Sequence, residues 1–166
     1  MTSDTSKRII AVKAGMQYLA VAILEDEDLI GYSIKTFAGR KTLPNMRVEV
    51  QQYLTKVLQR YKPSVLAVEE AFQSQPLPND SLTSLTQDIK TWGRWKGLRV
   101  HGYYPPSVKA FFCRDSKTKQ SLAEAMVGEY PFLSQYLSVL SWKRRYWFHV
   151  FDAVGLGLMC HRKLVR

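Results

Sequence analysis

Short apolar runs punctuate this chain, and between them apolar residues recur at every third or fourth position, so strands and helices are predicted in turn. Ile9-Ile10-Ala11-Val12 is short and mostly β-branched. Gly15 permits a turn before residues 18–24 resume a strand pattern, and residues 25–28 make a polar reversal. Residues 29–37 return as a third strand, which completes an antiparallel meander that residues 39–44 close. Met46, Val50, Tyr53, Leu54, Val57, Leu58 and Tyr61 then lie on one stripe of an amphipathic helix. Pro63 stops it, and residues 64–69 read as a buried strand that delivers carboxylates at its C-terminal end.

Residues 73–80, with two prolines, predict an exposed loop before a helix that carries Leu82, Leu85, Ile89 and Trp92. Residues 98–103 return as a strand. After Pro105-Pro106 the pattern predicts a short helical turn over 108–112, a polar loop over 114–118, and a helix through Leu122, Met126 and Val127 that Tyr130-Pro131 ends. Residues 136–146 are expected to be irregular or partly helical, and residues 147–160 are apolar enough for a mostly buried final helix. This order describes one α/β domain over residues 8–163, after a short polar extension of residues 1–7. Its five-stranded mixed sheet has three antiparallel strands and then two parallel ones, flanked by helices. Ligands of such sheets gather at the carboxyl ends of the parallel strands, where Lys13 and Glu69 meet if the first and fourth strands are neighbours.

Composition agrees with a single packed domain: 166 residues, 46% hydrophobic and 12% aromatic. Twenty-four Lys and Arg against 14 Asp and Glu leave a formal charge of +10, which favours an anionic partner such as nucleic acid. No apolar stretch is long enough to span a bilayer, and residues 1–7 lack the apolar centre of a signal peptide. The expectation is a soluble protein without a membrane partner, in the cytoplasm or another intracellular compartment. Cys113 and Cys160 form no CxxC pair, so they read as small buried apolar residues.

Three apolar segments end on residues suited to metal or phosphate chemistry: Lys13, Glu69-Glu70, and His149 with Asp152. His149 and Asp152 are three apart and share one helix face, while Glu69 approaches from the sheet. Such a set could bind Mg²⁺ or Mn²⁺ for phosphodiester cleavage, with imidazole either a Mn²⁺ ligand or a proton-transfer group. A lone glutamate at a strand end and an HxxD on a helix also arise without any site. Lys13 stands where such a site would supply another carboxylate, although a lysine at a strand end can also reach solvent along its stem. Glu70, Asp26 and Asp28 are candidate substitutes, but Glu70 should face away from Glu69 and the two aspartates belong to a solvated turn.

In Ile9-Ile10-Ala11-Val12-Lys13-Ala14-Gly15, Val65-Leu66-Ala67-Val68-Glu69-Glu70-Ala71-Phe72 and His149-Val150-Phe151-Asp152-Ala153-Val154-Gly155-Leu156, the chain resembles the RuvC-type Holliday junction resolvases of the ribonuclease H-like superfamily. Tyr104 to Lys109, followed by Lys117-Thr118-Lys119-Gln120, is similar to the family's segment with one lysine before a loop and another at the start of the next helix. The resemblance implies a ribonuclease H-like fold, a homodimer on branched DNA, and metal-dependent phosphodiester hydrolysis with Mg²⁺ or Mn²⁺. It makes Glu69 and Asp152 metal ligands, His149 a ligand or proton-transfer residue, and Lys109 and Lys119 contacts to the DNA backbone or the cleaved phosphate. The family has Asp at the position of Lys13. An ammonium there replaces attraction for a cation with repulsion and can itself pair with Glu69 or Asp152, so the implied resolvase would be impaired. The alternative is a catalytically inactive junction- or nucleic-acid-binding protein of the same fold.

Two basic and aromatic clusters fit a branched or distorted nucleic acid: Lys90, Arg94, Lys96 and Arg99 near Trp92 and Trp95, and Lys143, Arg144 and Arg145 beside Trp142, Tyr146 and Trp147. Tryptophans at helical spacing also pack in cores, and a basic run can be merely solvated. Residues 82–95 are the expected dimer helix, unless their apolar stripe is internal core.

Overall fold

The computed structural model describes residues 7–37, 39, 42–70, 80–139 and 141–165. Most of the extension over residues 1–7 and of the loop expected over 73–80 lies outside the described residues. Strands β1 (Arg8–Ala14), β2 (Tyr18–Glu25) and β3 (Asp28–Thr36) form the meander, followed by helix α1 (Leu43–Tyr61) and strand β4 (Val65–Glu69). Helix α2 (Asp80–Trp95) and strand β5 (Arg99–Tyr103) come next, then helices α3 (Pro105–Phe112) and α4 (Lys119–Glu129), a 3₁₀ turn (Pro131–Tyr136) and helix α5 (Ser141–Leu164). The sheet order is β3-β2-β1-β4-β5. β1 pairs antiparallel with β2 and parallel with β4, and β5 is parallel to β4, as the pattern predicted.

Alternation along the buried strands divides the core in two. Ile10, Val12, Leu66 and Val68 face α1 and α2, where Met46, Val50 and Leu54 meet Leu85, Ile89 and Trp92. Ile9, Ala11, Ala20, Ala22 and Ala67 face α5. These small alanines let α5 lie close to the sheet, and Gly157 completes the fit: a Cβ there would stand 2.5 Å from Leu24 Cδ1 and 3.1 Å from Ala11 Cβ. On its other side α5 carries Val108, Leu122 and Met126 of α3 and α4, so residues 150–161 are buried all round.

Three boundaries differ from expectation. α5 begins at Ser141, because Lys143, Arg144 and Arg145 sit on its wetter face and do not interrupt the helix. α3 begins at Pro105, since a proline in the first helical turn lacks only an N–H that has no intrahelical acceptor. α1 begins at Leu43, with the Thr42 side chain accepting a hydrogen bond from the Asn45 N–H. The apolar stripe of α2 is spent on the chain's own sheet: Leu85, Ile89 and Trp92 are core residues. Of the two readings of that stripe, internal core is the one the packing shows, with Trp95 left 87% exposed at the end of the helix.

Candidate functional site

Val12 pairs with Val68, so the next residues, Lys13 and Glu69, leave the carboxyl ends of β1 and β4 side by side. By parity with Ala11 and Ala67, both point toward α5. Asp152, on the stretch of that helix buried from Val150 onward, meets them there. Lys13 is 7% exposed and Asp152 6%. The Lys13 ammonium donates a hydrogen bond to Asp152 Oδ2 and lies 3.8 Å from Glu69 Oε1. Lys109 from α3 and Lys119 at the start of α4 complete a cleft of about 200 Å³ with these three residues. Two carboxylates and three ammonium groups therefore face one small space.

Burial works against the Lys13 charge, but Asp152 and Glu69 outweigh it and hold the ammonium above its ordinary range. Glu69 is the weaker partner. Burial pushes its carboxyl up to about 7, with the attraction of Lys13 pulling the other way and the Asp152 charge adding to the rise. Lys119 is drawn down by burial and by the positive charge of Lys13.

His149 is also brought to this end of the sheet, but its ring stacks on Tyr18, with centroids 3.7 Å apart and planes 15° apart. Its Nδ1 is buried without a hydrogen-bond partner, and burial with the nearby Lys13 and Lys119 charges lowers its pKa to about 3. The imidazole is neutral at physiological pH. Tyr18 is the residue sequence reasoning missed. Its signal was available in the Gly15-to-Tyr18 spacing: Gly15 N–H donates to Tyr18 C=O across the β1–β2 turn, and the ring covers the face of Gly15. A Cβ at Gly15 would lie 2.5 Å from Tyr18 Cζ. Gly15→Ala is therefore expected to push Tyr18 off His149, hydrate the imidazole, and raise its pKa from about 3 toward 6.5, read by NMR titration of the ring protons. An unchanged titration would show that Tyr18 does not keep water from the ring.

The remaining candidates fall elsewhere. Glu70 faces the other side of the sheet and forms an ion pair with Lys90 of α2. Asp26 and Asp28 are exposed at the β2–β3 turn, beside the amino end of β1 rather than its carboxyl end. Lys143 and Arg145 are exposed on the first turns of α5, while Trp147 stacks on Tyr136 at 4.0 Å and Tyr146 meets its edge at 5.7 Å. The Trp142 side chain lies outside the described residues. Trp92 is core, whereas Trp95 is 87% exposed.

The donor set does not fit a divalent cation. Among the described residues, no group of three or more His, Cys, Asp and Glu is placed to hold a metal ion. More directly, an ammonium already occupies the space between the two carboxylates, and the imidazole that would be a third donor is stacked on a tyrosine. A cation entering here would have to displace Lys13 from Asp152 against the repulsion of three lysines.

No protein-family model and no curated protein sequence matches the chain. Solved structures do. A Thermus thermophilus RuvC in complex with a Holliday junction substrate superposes with a TM-score of 0.73 over 96% of both chains, at 16% identity. A second Thermus thermophilus RuvC structure gives 0.71 at 17% identity, over 95% of this chain and 96% of that one. The yeast mitochondrial Holliday junction resolvase gives 0.62 at 12% identity, over 95% of this chain and 80% of that one. At these identities the likeness concerns the path of the backbone, and with the sheet order above it shows a RuvC-type ribonuclease H-like fold.

Proposed function

We propose that this protein binds branched DNA with the carboxyl-end face of its sheet and does not hydrolyse it, the Lys13 ammonium serving in place of a divalent cation. The observation that carries the reading is the buried contact of Lys13 with Asp152, with Glu69 at 3.8 Å on the other side. An internal cation pairs with the carboxylates without lowering the pKa of a bound water or polarising a phosphoryl oxygen, which are the contributions a metal makes to hydrolysis. Lys109 and Lys119 border the same cleft and supply charge for a DNA phosphate. Lys143, Arg144 and Arg145, at the start of the helix that carries Asp152, extend the basic surface along the DNA. The likeness to a RuvC solved on a Holliday junction supports a branched partner, and a two-fold symmetric junction suits a homodimer.

A labelled four-way junction is expected to bind in EDTA without added metal, and no strand is expected to be cleaved in Mg²⁺ or Mn²⁺. Lys109→Gln with Lys119→Gln is expected to weaken binding at least tenfold near 0.1 M salt and to flatten the salt dependence by roughly two phosphate contacts. Metal-dependent cleavage that Glu69→Gln abolishes would overturn the reading, and salt-insensitive failure to bind any nucleic acid would remove DNA as the partner. Sedimentation of the free and junction-bound protein tests the homodimer.

A further inference from the structure

The opposite pole of the sheet carries a second basic surface. Where β1, β4 and β5 begin, a cleft of about 510 Å³ opens between the strands and the end of α1, and Lys7, Arg8, Lys62 and Arg99 line it with Glu25 and Tyr61. Its floor is tied together by the backbone. Ser64 N–H donates to Arg8 C=O at 3.0 Å, and Arg99 N–H to Ser64 C=O at 3.1 Å. Asp26 N–H donates to Lys7 C=O at 3.0 Å, joining the β2–β3 turn to the start of β1.

Two acidic groups at this pole are paired with arginines, while Asp26 and Asp28 stand exposed at the β2–β3 turn and do not line the cleft. Glu25 lies 3.5 Å from Arg8 Nε, and Glu27 takes two hydrogen bonds from Arg162. Arg8 is held further by donating to Tyr61 C=O at 2.8 Å. Lys7, Lys62 and Arg99 are exposed. Lys62 adopts a left-handed conformation, φ 49°, at the end of α1, a position where glycine is ordinarily favoured.

The exposed Trp95 is at the same end of the sheet, in a separate cleft that it lines with Arg47, Asp88 and Lys96. It ends α2 four residues before Arg99 opens β5, with Lys96 beside it and a tight turn at Gly97, φ 79°. Cations that can follow a backbone and an aromatic face open to solvent are the two elements of sequence-tolerant single-strand recognition. A small phosphate ligand would call for an enclosed set of convergent donors, whereas these cations lie on an open rim.

We infer that this pole is a second nucleic-acid site, which takes the phosphodiester backbone of an unpaired strand on Lys7, Lys62 and Arg99 and stacks a base on Trp95. Arg8 and Lys13 are five steps apart along β1, about 17 Å at strand rise, so one phosphate cannot reach both clefts. The chain then holds two nucleic-acid segments at once, one at each end of its sheet, which suits a protein that organises branched intermediates.

The test uses labelled oligothymidylate, titrated over a salt series against the full chain carrying Lys109→Gln and Lys119→Gln, so that junction binding at the first cleft does not enter the result. In that background Lys7→Gln, Lys62→Gln and Arg99→Gln together are expected to lower affinity at least tenfold near 0.1 M salt and to reduce the log–log salt slope by about 2. Trp95→Ala is expected to lower affinity about fivefold or more at every salt concentration without changing the slope. Matching thermal melts establish that each variant is folded. Unchanged affinity and slope in the triple variant overturn the inference, even if junction binding stands. Equal losses for a closed duplex, with no effect of Trp95→Ala, overturn the unpaired strand. Movement of the Lys62 and Arg99 amide resonances by inorganic phosphate but not by oligothymidylate overturns nucleic acid in favour of a small anion.

Discussion

Lys13→Met is expected to cost about 3–5 kcal/mol of folding stability, the effect of leaving a buried charge without its partner. Methionine has nearly the volume and reach of lysine, so little of the loss would come from packing. What disappears is the cation that pairs with Asp152, a carboxylate 6% exposed, while Glu69 remains close enough to repel it. Lys13→Asp should be at least as destabilising in EDTA, because three carboxylates then crowd one cleft. That variant, unlike the parent, gains a donor set that a hard divalent cation can use. Mn²⁺ at one hundred times its dissociation constant would return about 2.7 kcal/mol by linkage, and the parent's melting temperature would not move with the metal. Urea denaturation of the three proteins with EDTA and with Mn²⁺ reads all of these shifts. A neutral Lys13→Met would mean that the ammonium reaches solvent and does not hold the site, which would remove the main support for the proposed loss of hydrolysis.

Glu69→Gln is expected to do the reverse, raising stability at pH 8 by up to about 3 kcal/mol and leaving it unchanged near pH 4. Burial raises the carboxyl from 4.5 to about 7, against the pull of a lysine whose hydrogen bond goes to Asp152. Between those two values the unfolded chain has lost the proton and the folded chain keeps it, so stability falls as pH rises. His149 has the opposite sign. Its pKa drops from 6.5 to about 3, so on acidification the unfolded imidazole takes a proton first and stability falls as pH is lowered through that range. The two slopes oppose each other from about pH 4.5 to 6.5, and the parent protein should be nearly flat there. Glu69→Gln would uncover the His149 slope. If the variant instead loses the same stability at pH 4 and pH 8, the Glu69 oxygens contribute by holding Lys13 in place.

The strands, the meander and the stripe of α1 were legible because they depend on periods of two and 3.6 residues that any stretch of chain displays locally. The same parity placed Lys13 and Glu69 on one face and turned Glu70 to the other, where it meets Lys90. The stripe of α2 was legible as apolar but ambiguous in its partner, since a helix face against its own sheet and one against a second chain carry the same residues. Helix ends were less legible where polar residues on a wet face, as at Lys143 to Arg145, resembled a break. The Gly15-to-Tyr18 spacing marked the turn, but not the stack on His149, which joins the start of β2 to the last helix.

By itself the sequence determined that β1 and β4 end in Lys13 and Glu69 and that α5 brings His149 and Asp152, because backbone alternation and helical spacing are properties of neighbouring residues. Only the tertiary structure decided that the Lys13 ammonium closes on Asp152, 139 residues away, and that four cations gather at the far pole. Those outcomes depend on how closely α5 settles on the sheet at Gly157 and on which strands lie side by side, and both are set by packing across the whole domain.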